Sequence, residues 1–259
     1  MRRAATFAIG TVAVVALAAT AFSIFNSQGS QDGPPCGPVT LATENFDSVT
    51  PPALPPGWSS ITWATSNSGA PTPTADTVPN AAFSDDPPTV SDKQLLSPII
   101  FLSQGGTPVQ ITFRSNLNLQ EGFDGGVLEI SIDGGNTFED ILARGSFVTG
   151  GYTGTISNCC GNPLAGRQAW TGNSGGFIST TVALPIAWGP NMVLRWRMGS
   201  DNSVSGEGWR VDTVVITQCH KLIPPTPQPR PTPAPRPLPS APPSPHGTPA
   251  FTPAPRPSP

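Results

Sequence analysis

The residues that could do chemistry in this chain are few, and their spacing is restrictive. The histidines are His220 and His246. His220 follows Cys219 at the end of the folded body, and His246 lies in a proline-rich run. No His-Glu-x-x-His segment sets two imidazoles on one helix face for zinc. The lysines are Lys93 and Lys221. A Ser-His-Asp nucleophile would depend on His220 at the domain edge, so hydrolysis by a triad is set aside. The cysteines, Cys36, Cys159, Cys160 and Cys219, contain no Cys-x-x-Cys pair and offer no zinc ligand set.

Carboxylates leave two further chemistries. Glu129 and Asp133 fall on one face of a strand pattern, but four extended residues separate them by roughly 13 Å. Glycoside hydrolysis needs roughly 5–9.5 Å between its two carboxyls. The Glu-x-Asp-x-x-Glu pattern of laminarinase-like jelly rolls is missing. No catalytic residue is assigned, and the chain is not expected to be an enzyme. Ser131-Ile-Asp133-Gly-Gly135-Asn-Thr137-Phe138 matches an Asp-box, which reads as a hairpin: Asp133 and Ser131 bond the turn backbone and glycine takes positive φ. Hard cations need several oxygens. Glu44 and Asp47 at the first strand, Asp124 before a central strand and Asp212 in the last strand are the candidate ligands of a structural calcium ion. The alternative is that these are solvated strand-edge carboxylates.

Aromatic rings offer a surface for sugars, whose C–H patches meet a π face. Trp170, beside Arg167 in a long polar loop, is the candidate for such a contact. The alternative reading has Trp170 pin that loop to the core. The arginines at 114, 195, 197 and 210 alternate off apolar positions and either line one polar face or pair with nearby acids.

The elements that must position these residues are strands. Val109, Ile111, Phe113, Leu117 and Leu119 share one face, with Gln110, Thr112, Arg114, Asn116, Asn118 and Gln120 on the other. That is period two, which no helix satisfies. Leu128, Ile130 and Ile132 alternate with Glu129, Ser131 and Asp133. Met192, Leu194, Trp196 and Met198 alternate with Val193, Arg195 and Arg197. Further strands are expected at Leu95–Leu102, Ile178–Leu184 and Trp209–Gln218, with short ones near Glu44–Phe46 and Ile61–Thr65. Strands with one polar face, separated by Gly, Pro, Asn and Asp, predict an all-β, antiparallel β-sandwich of jelly-roll type. Two long loops, about 66–88 and 145–176, are expected to meet a ligand.

Composition frames the body on both sides. Residues 1–33 open with Met1-Arg2-Arg3 and an apolar stretch to Phe25, with Ala19-Thr20-Ala21 as a small-x-small site. This reads as a signal peptide with a short linker. The alternative is an uncleaved anchor, since the run is just long enough to span a bilayer. A membrane contact is expected only through that anchor, and in both cases the body, 34–223, lies outside the cytoplasm. Residues 224–259 hold half of the chain's 34 prolines and no acid, which predicts a disordered proline-rich spacer. The formal charge of −3, with 11 % charged residues, argues against nucleic acid. In an oxidising compartment the four cysteines are expected to pair. Cys36–Cys219 is the first choice, because the strands that begin and end a sandwich are often neighbours. Cys159 and Cys160 either bond each other or reach elsewhere.

Several of these segments together resemble a known group. Asn45-Phe46-Asp47, Leu54-Pro-Pro-Gly57-Trp58, Leu95-Leu96-Ser97-Pro98, Asp124-Gly-Gly-Val-Leu-Glu-Ile-Ser131, Leu194-Arg-Trp-Arg197 and Gly208-Trp-Arg-Val-Asp212 are similar, in order and spacing, to the MAM-like, cleaved-adhesin jelly rolls of bacteria. Such modules accompany secreted peptidases, including the immune-inhibitor-A and fungalysin-type metallopeptidases and the gingipain adhesins. The resemblance spans about residues 40–217. It implies a non-catalytic jelly roll, often calcium-stabilised, that mediates adhesion or substrate targeting. By the resemblance Asp212 takes the place of the terminal acid, and Thr213 stands where a second acid is usual. The expected partner is an extracellular protein or carbohydrate. The alternatives are a glycan-active hydrolase on the same scaffold and a purely structural envelope component.

Overall fold

The computed structural model describes residues 36–103, 107–186 and 189–221, with residues 247 and 250 in isolation. The expected signal segment, and the tail apart from those two positions, lie outside the described residues. Among the described residues no helix is long and apolar enough to cross a membrane.

The body is built from strands: β1 (Cys36–Glu44), β2 (Ser59–Ile61), β3 (Ala64–Ser66), β4 (Ala81–Ser84), β5 (Ser91–Leu96), β6 (Ile100–Phe101), β7 (Val109–Asn118), β8 (Gly125–Ser131), β9 (Glu139–Asp140), β10 (Ser146–Thr149), β11 (Gly154–Thr155), β12 (Gln168–Ala169), β13 (Ile178–Leu184), β14 (Asn191–Ser200) and β15 (Gly208–Lys221). One sheet runs β10-β13-β7-β15-β4-β3, with β1 also paired to β15. The other runs β2-β5-β14-β8-β9, with β6 paired to β14. All of these pairings are antiparallel. The fold is an antiparallel β-sandwich of jelly-roll type.

The period-two pattern explains the core. Ile111, Phe113 and Leu117 of β7, Leu128 and Ile130 of β8, Leu194 and Trp196 of β14, and Trp209 and Val211 of β15 meet between the sheets, all buried. Trp170 and Trp196 each meet the Phe113 ring edge-on, at 5.7 and 5.6 Å between centroids.

The odd face of β8 departs from expectation. Its alternation predicts a polar, solvated face, yet Val127, Glu129 and Ser131 are buried. The segment 150–172 lies over that face and adds a second apolar cluster of Val127, Ile156, Leu164 and Ala169. Reciprocal backbone bonds between Gly126 and Trp170, both 2.9 Å, seat it. A Cβ on Gly126 would lie 2.3 Å from the Trp209 ring, so only glycine lets the backbone approach this closely.

β15 is shared by three neighbours. β7 pairs along one side, while β4 takes Trp209–Val211 and β1 takes Val214–Lys221 on the other. The change of partner falls at a bulge where Thr213 has φ +48°. Cys36 and Cys219 are joined across β1 and β15, as the first-and-last-strand argument expects.

Candidate functional site

Two residues of β15 organise the first long loop. Arg210 is fully buried, and its guanidinium faces the backbone carbonyls of Ser66, Ser68, Ala70, Pro71 and Thr74. Its Cζ also stands 4.5 Å from the Phe83 ring centre. Burial lowers its pKa to about 10, which leaves it cationic at neutral pH. Two residues on, Asp212 accepts from the amides of Asp76 (2.8 Å), Thr77 (3.0 Å) and Thr213 (2.6 Å). Burial raises its pKa to about 6 against those bonds. Arg114 and Asp76 close the arrangement at 2.9 Å. The alternation of charged and apolar residues in 209–212 carries this signal in the sequence. What the alternation does not record is that the charged residues face a loop rather than water.

The second long loop is fastened by Glu129. This carboxylate is 3 % exposed and is met by Arg167 (2.5 Å), Arg195 (2.6 Å) and, more distantly, Arg197 (3.6 Å). Arg167 also holds Asp140, and Arg197 grips Asp92 with two bonds. Arg195 lies 3.9 Å from the centre of the Phe138 ring. Both oxygens of Glu129 are occupied, so it has no atom to offer a glycosidic bond. Asp133 is tied into its turn by Ser131, Asn136 and Thr137. The Thr137 hydroxyl and amide hold its carboxyl well below the usual range. The hairpin reading of the Asp-box is therefore what the side chains do.

The ligand-binding expectation for Trp170 is corrected. Its ring is fully buried among Phe113, Phe147, Tyr152 and Trp209, and its indole N–H donates to Gly150 O at 2.8 Å. It presents no face to a sugar, because closing the loop over the sheet puts the largest ring at the seam. Arg167 is a strut for that loop. Cys159 and Cys160 are bonded to each other at its exposed tip.

The four candidate calcium ligands do not meet. Glu44 accepts from Phe46 N at 2.7 Å, and Asp47 from Asn80 N at 2.9 Å. Asp212 serves loop amides as described. Asp124 lies instead with Asp86 and Asp201, two acids that no sequence pattern singles out. Asp86, Asp124 and Asp201 are 4, 0 and 2 % exposed. Each has one oxygen bonded: Asp86 Oδ2 by Gly206 N (2.9 Å), Asp124 Oδ1 by Asp201 N (2.6 Å), and Asp201 Oδ1 by Ser203 N (2.7 Å) and Ser203 Oγ (2.8 Å). The other oxygens, Asp86 Oδ1, Asp124 Oδ2 and Asp201 Oδ2, are buried and meet no backbone or hydroxyl donor, while the Asp86 and Asp124 side chains hydrogen-bond each other. Burial raises the pKa of Asp124 to about 7, with the charges of Asp86 and Asp201 adding to it, and burial also raises Asp86. As the side chains stand, no three Asp, Glu, His or Cys residues among the described residues are grouped to hold a metal ion.

Open apolar surface gathers elsewhere. A cleft of about 390 Å³ lies between β1 and β6, lined by Leu41, Glu44, Pro56, Trp58, Ile99 and Phe101 among others. Phe101 is 74 % exposed and Ile99 49 %. Trp58 forms part of the wall, held from behind by Phe46 and Trp196 at 4.9 and 5.7 Å between centroids. Glu44 also borders a neighbouring cleft of about 430 Å³ with Ser48, Thr213 and Val214.

No family model matches the chain, and no curated protein matches it. Among solved structures, the chain is similar to the K3 cleaved adhesin domain of Lys-gingipain from Porphyromonas gingivalis W83. Identity is 17 %, with a TM-score of 0.41, over 70 % of this chain and 99 % of that one. The K2 cleaved adhesin domain of Lys-gingipain is similar at 19 % identity and a TM-score of 0.39, over 69 and 97 %. So is the CBM22-1 xylan-binding domain from Paenibacillus barcinonensis Xyn10C, at 8 % and 0.39, over 73 and 97 %.

Proposed function

We propose that this β-sandwich is a non-catalytic binding module that works outside the cytoplasm and takes an extracellular protein or glycan in the cleft beside Trp58. The observation that carries the reading is the concentration of exposed apolar surface there, Phe101 and Ile99 next to a rigidly backed Trp58, with Glu44 as a polar end. An aromatic wall beside a single acid suits both a sugar face and a peptide side chain. The carboxylates considered for hydrolysis are committed to struts and turns, which argues against a glycosidase on this scaffold.

The test uses the purified, oxidised protein with a panel of insoluble polysaccharides and matrix proteins, assaying the pellet for protein and the supernatant for released sugar. Retention without sugar release is expected. Phe101→Ala and Ile99→Ser should weaken retention by about tenfold each with an unchanged melting temperature, since both side chains face solvent. Sugar release would overturn the reading. Absence of retention on every surface would favour a structural role in the envelope.

A further inference from the structure

We propose that the Cys159–Cys160 disulfide is a thiol-exchange site: a small thiol opens it at Cys160, and the opening releases the segment that covers β8. The two cysteines are neighbours in sequence, bonded to each other, and both exposed at the tip of that segment. The body's other disulfide is of a different kind. It joins β1 to β15, and Cys219 is 6 % exposed. An exposed disulfide is open to thiolate attack, which a buried one between strands resists. A bond between adjacent residues also closes no long loop, so its part in the fold is local.

What the bond holds is the backbone at the tip. Cys160 has φ +70° and Gly161 has φ +84°. The second value suits glycine, but a side chain disfavours the first. The disulfide keeps Cys160 in that conformation, and the chain that leaves it delivers Asn162 to the interior. Asn162 is 4 % exposed. Its side-chain amide donates to Phe123 O (2.6 Å) and Gly199 O (2.9 Å), and its oxygen accepts from Leu164 N (2.7 Å). Leu164 in turn packs with Val127 and Ile156. A Cβ on Gly199 would fall 2.4 Å from Asn162 Oδ1, so this clasp is close-fitted. The tip is thus tied to the chain entering β8 and to β14 through a residue two positions beyond the disulfide.

The surroundings decide which sulfur leaves. Ser157 Oγ donates to Cys159 Sγ at 3.4 Å. A hydroxyl donor favours the thiolate form, and the sulfur whose thiolate is better stabilised leaves faster. An incoming thiolate therefore attacks Cys160 Sγ. A bond forms between the incoming sulfur and Cys160, the Cys159–Cys160 bond breaks, and its electron pair leaves on Cys159. A second thiolate then attacks the incoming sulfur of the mixed disulfide, and Cys160 leaves as a thiolate. Two small thiols are oxidised to one disulfide, the protein disulfide is reduced, and the protons given up by the thiols end on the two cysteines. With Cys160 no longer tied, its backbone relaxes out of the left-handed region and the Asn162 clasp opens.

The experiment titrates the purified, oxidised full-length protein with reduced glutathione, quenches with acid, alkylates the free thiols and maps the peptides by mass. Glutathione is expected on Cys160, with free thiol at Cys159, at concentrations about tenfold or more below those that open Cys36–Cys219. Ser157→Ala should slow formation of the adduct by about threefold without moving the melting temperature. Backbone hydrogen exchange is then followed in glutathione sufficient to open the tip alone. Amides in 156–166 should exchange about tenfold faster, while β7 and β15 keep their protection. Cys159→Ser with Cys160→Ser fixes the open form and should reproduce that pattern without any thiol. Opening of both disulfides together, an adduct that forms on Cys159 or ignores Ser157→Ala, or unchanged exchange at 156–166 once the tip is open would each overturn the proposal.

Discussion

Arg210 shows how much one side chain can organise. Among the described residues no carboxylate pairs with it; its donors meet carbonyls of a loop that carries Ser, Thr, Pro and Gly and almost no apolar weight. Such a loop cannot hold itself by burial, so the planar fork of the guanidinium supplies the centre around which it wraps. Replacing it leaves several carbonyls facing one another in a dry space. Arg210→Met is expected to destabilise the body by about 3 kcal/mol in urea unfolding. It should also open 66–74 to limited proteolysis. Arg210→Lys should recover little, because one ammonium cannot reach the same fan of acceptors. A loss below about 0.5 kcal/mol would mean the loop stands without its centre.

At the scale of elements, the segment 150–172 is a cover layer rather than a surface loop. Ile156 and Leu164 are buried against Val127 as tightly as residues between the sheets. Leu164→Ala is therefore expected to cost about 2–4 kcal/mol, the range of a core truncation, by urea or thermal unfolding. A loss near zero would return the segment to the status of a loop. Legibility from sequence follows the same line. β7, β13 and β14 are readable because apolar residues recur at every second position, broken only by Ser115 in β7 and Thr180 in β13. β5 and β6 read as one strand in the sequence, and Pro98 divides them. The pattern places β1 too late, at Glu44–Phe46, because Cys36–Glu44 is an edge strand in which none of the nine residues is fully buried. The Cys36–Cys219 bond is legible because both cysteines flank the body. Trp170 misleads because ring exposure depends on how a loop folds back, and no local pattern records that. Asp86 and Asp201 escape notice for the same reason: each is an ordinary loop acid until three distant segments bring them together.

For the whole molecule, closure and charge set the limits. The bond between Cys36 and Cys219 closes almost the entire body, with the partners 183 positions apart in sequence. In the chain-entropy account, Cys36→Ser with Cys219→Ser should cost about 5 kcal/mol, read by urea unfolding of the oxidised proteins. The buried acids act in a different direction from most surface carboxylates. Burial holds Asp212 at about 6 and Asp124 at about 7 in the folded chain, and Asp86 is raised as well. Their unfolded values lie near 3.9. Between these limits the folded chain binds more protons than the unfolded one, so stability falls as pH rises through the window. The melting temperature should be highest near pH 4–5, decline by several degrees to about pH 8, and then level off. Asp212→Asn should flatten the lower part of the decline, up to about pH 6, and Asp124→Asn the upper part. A melting temperature that rises steadily from pH 5 to 8 would show that these carboxyls are ionised without penalty. The acids would then be solvated in the folded chain.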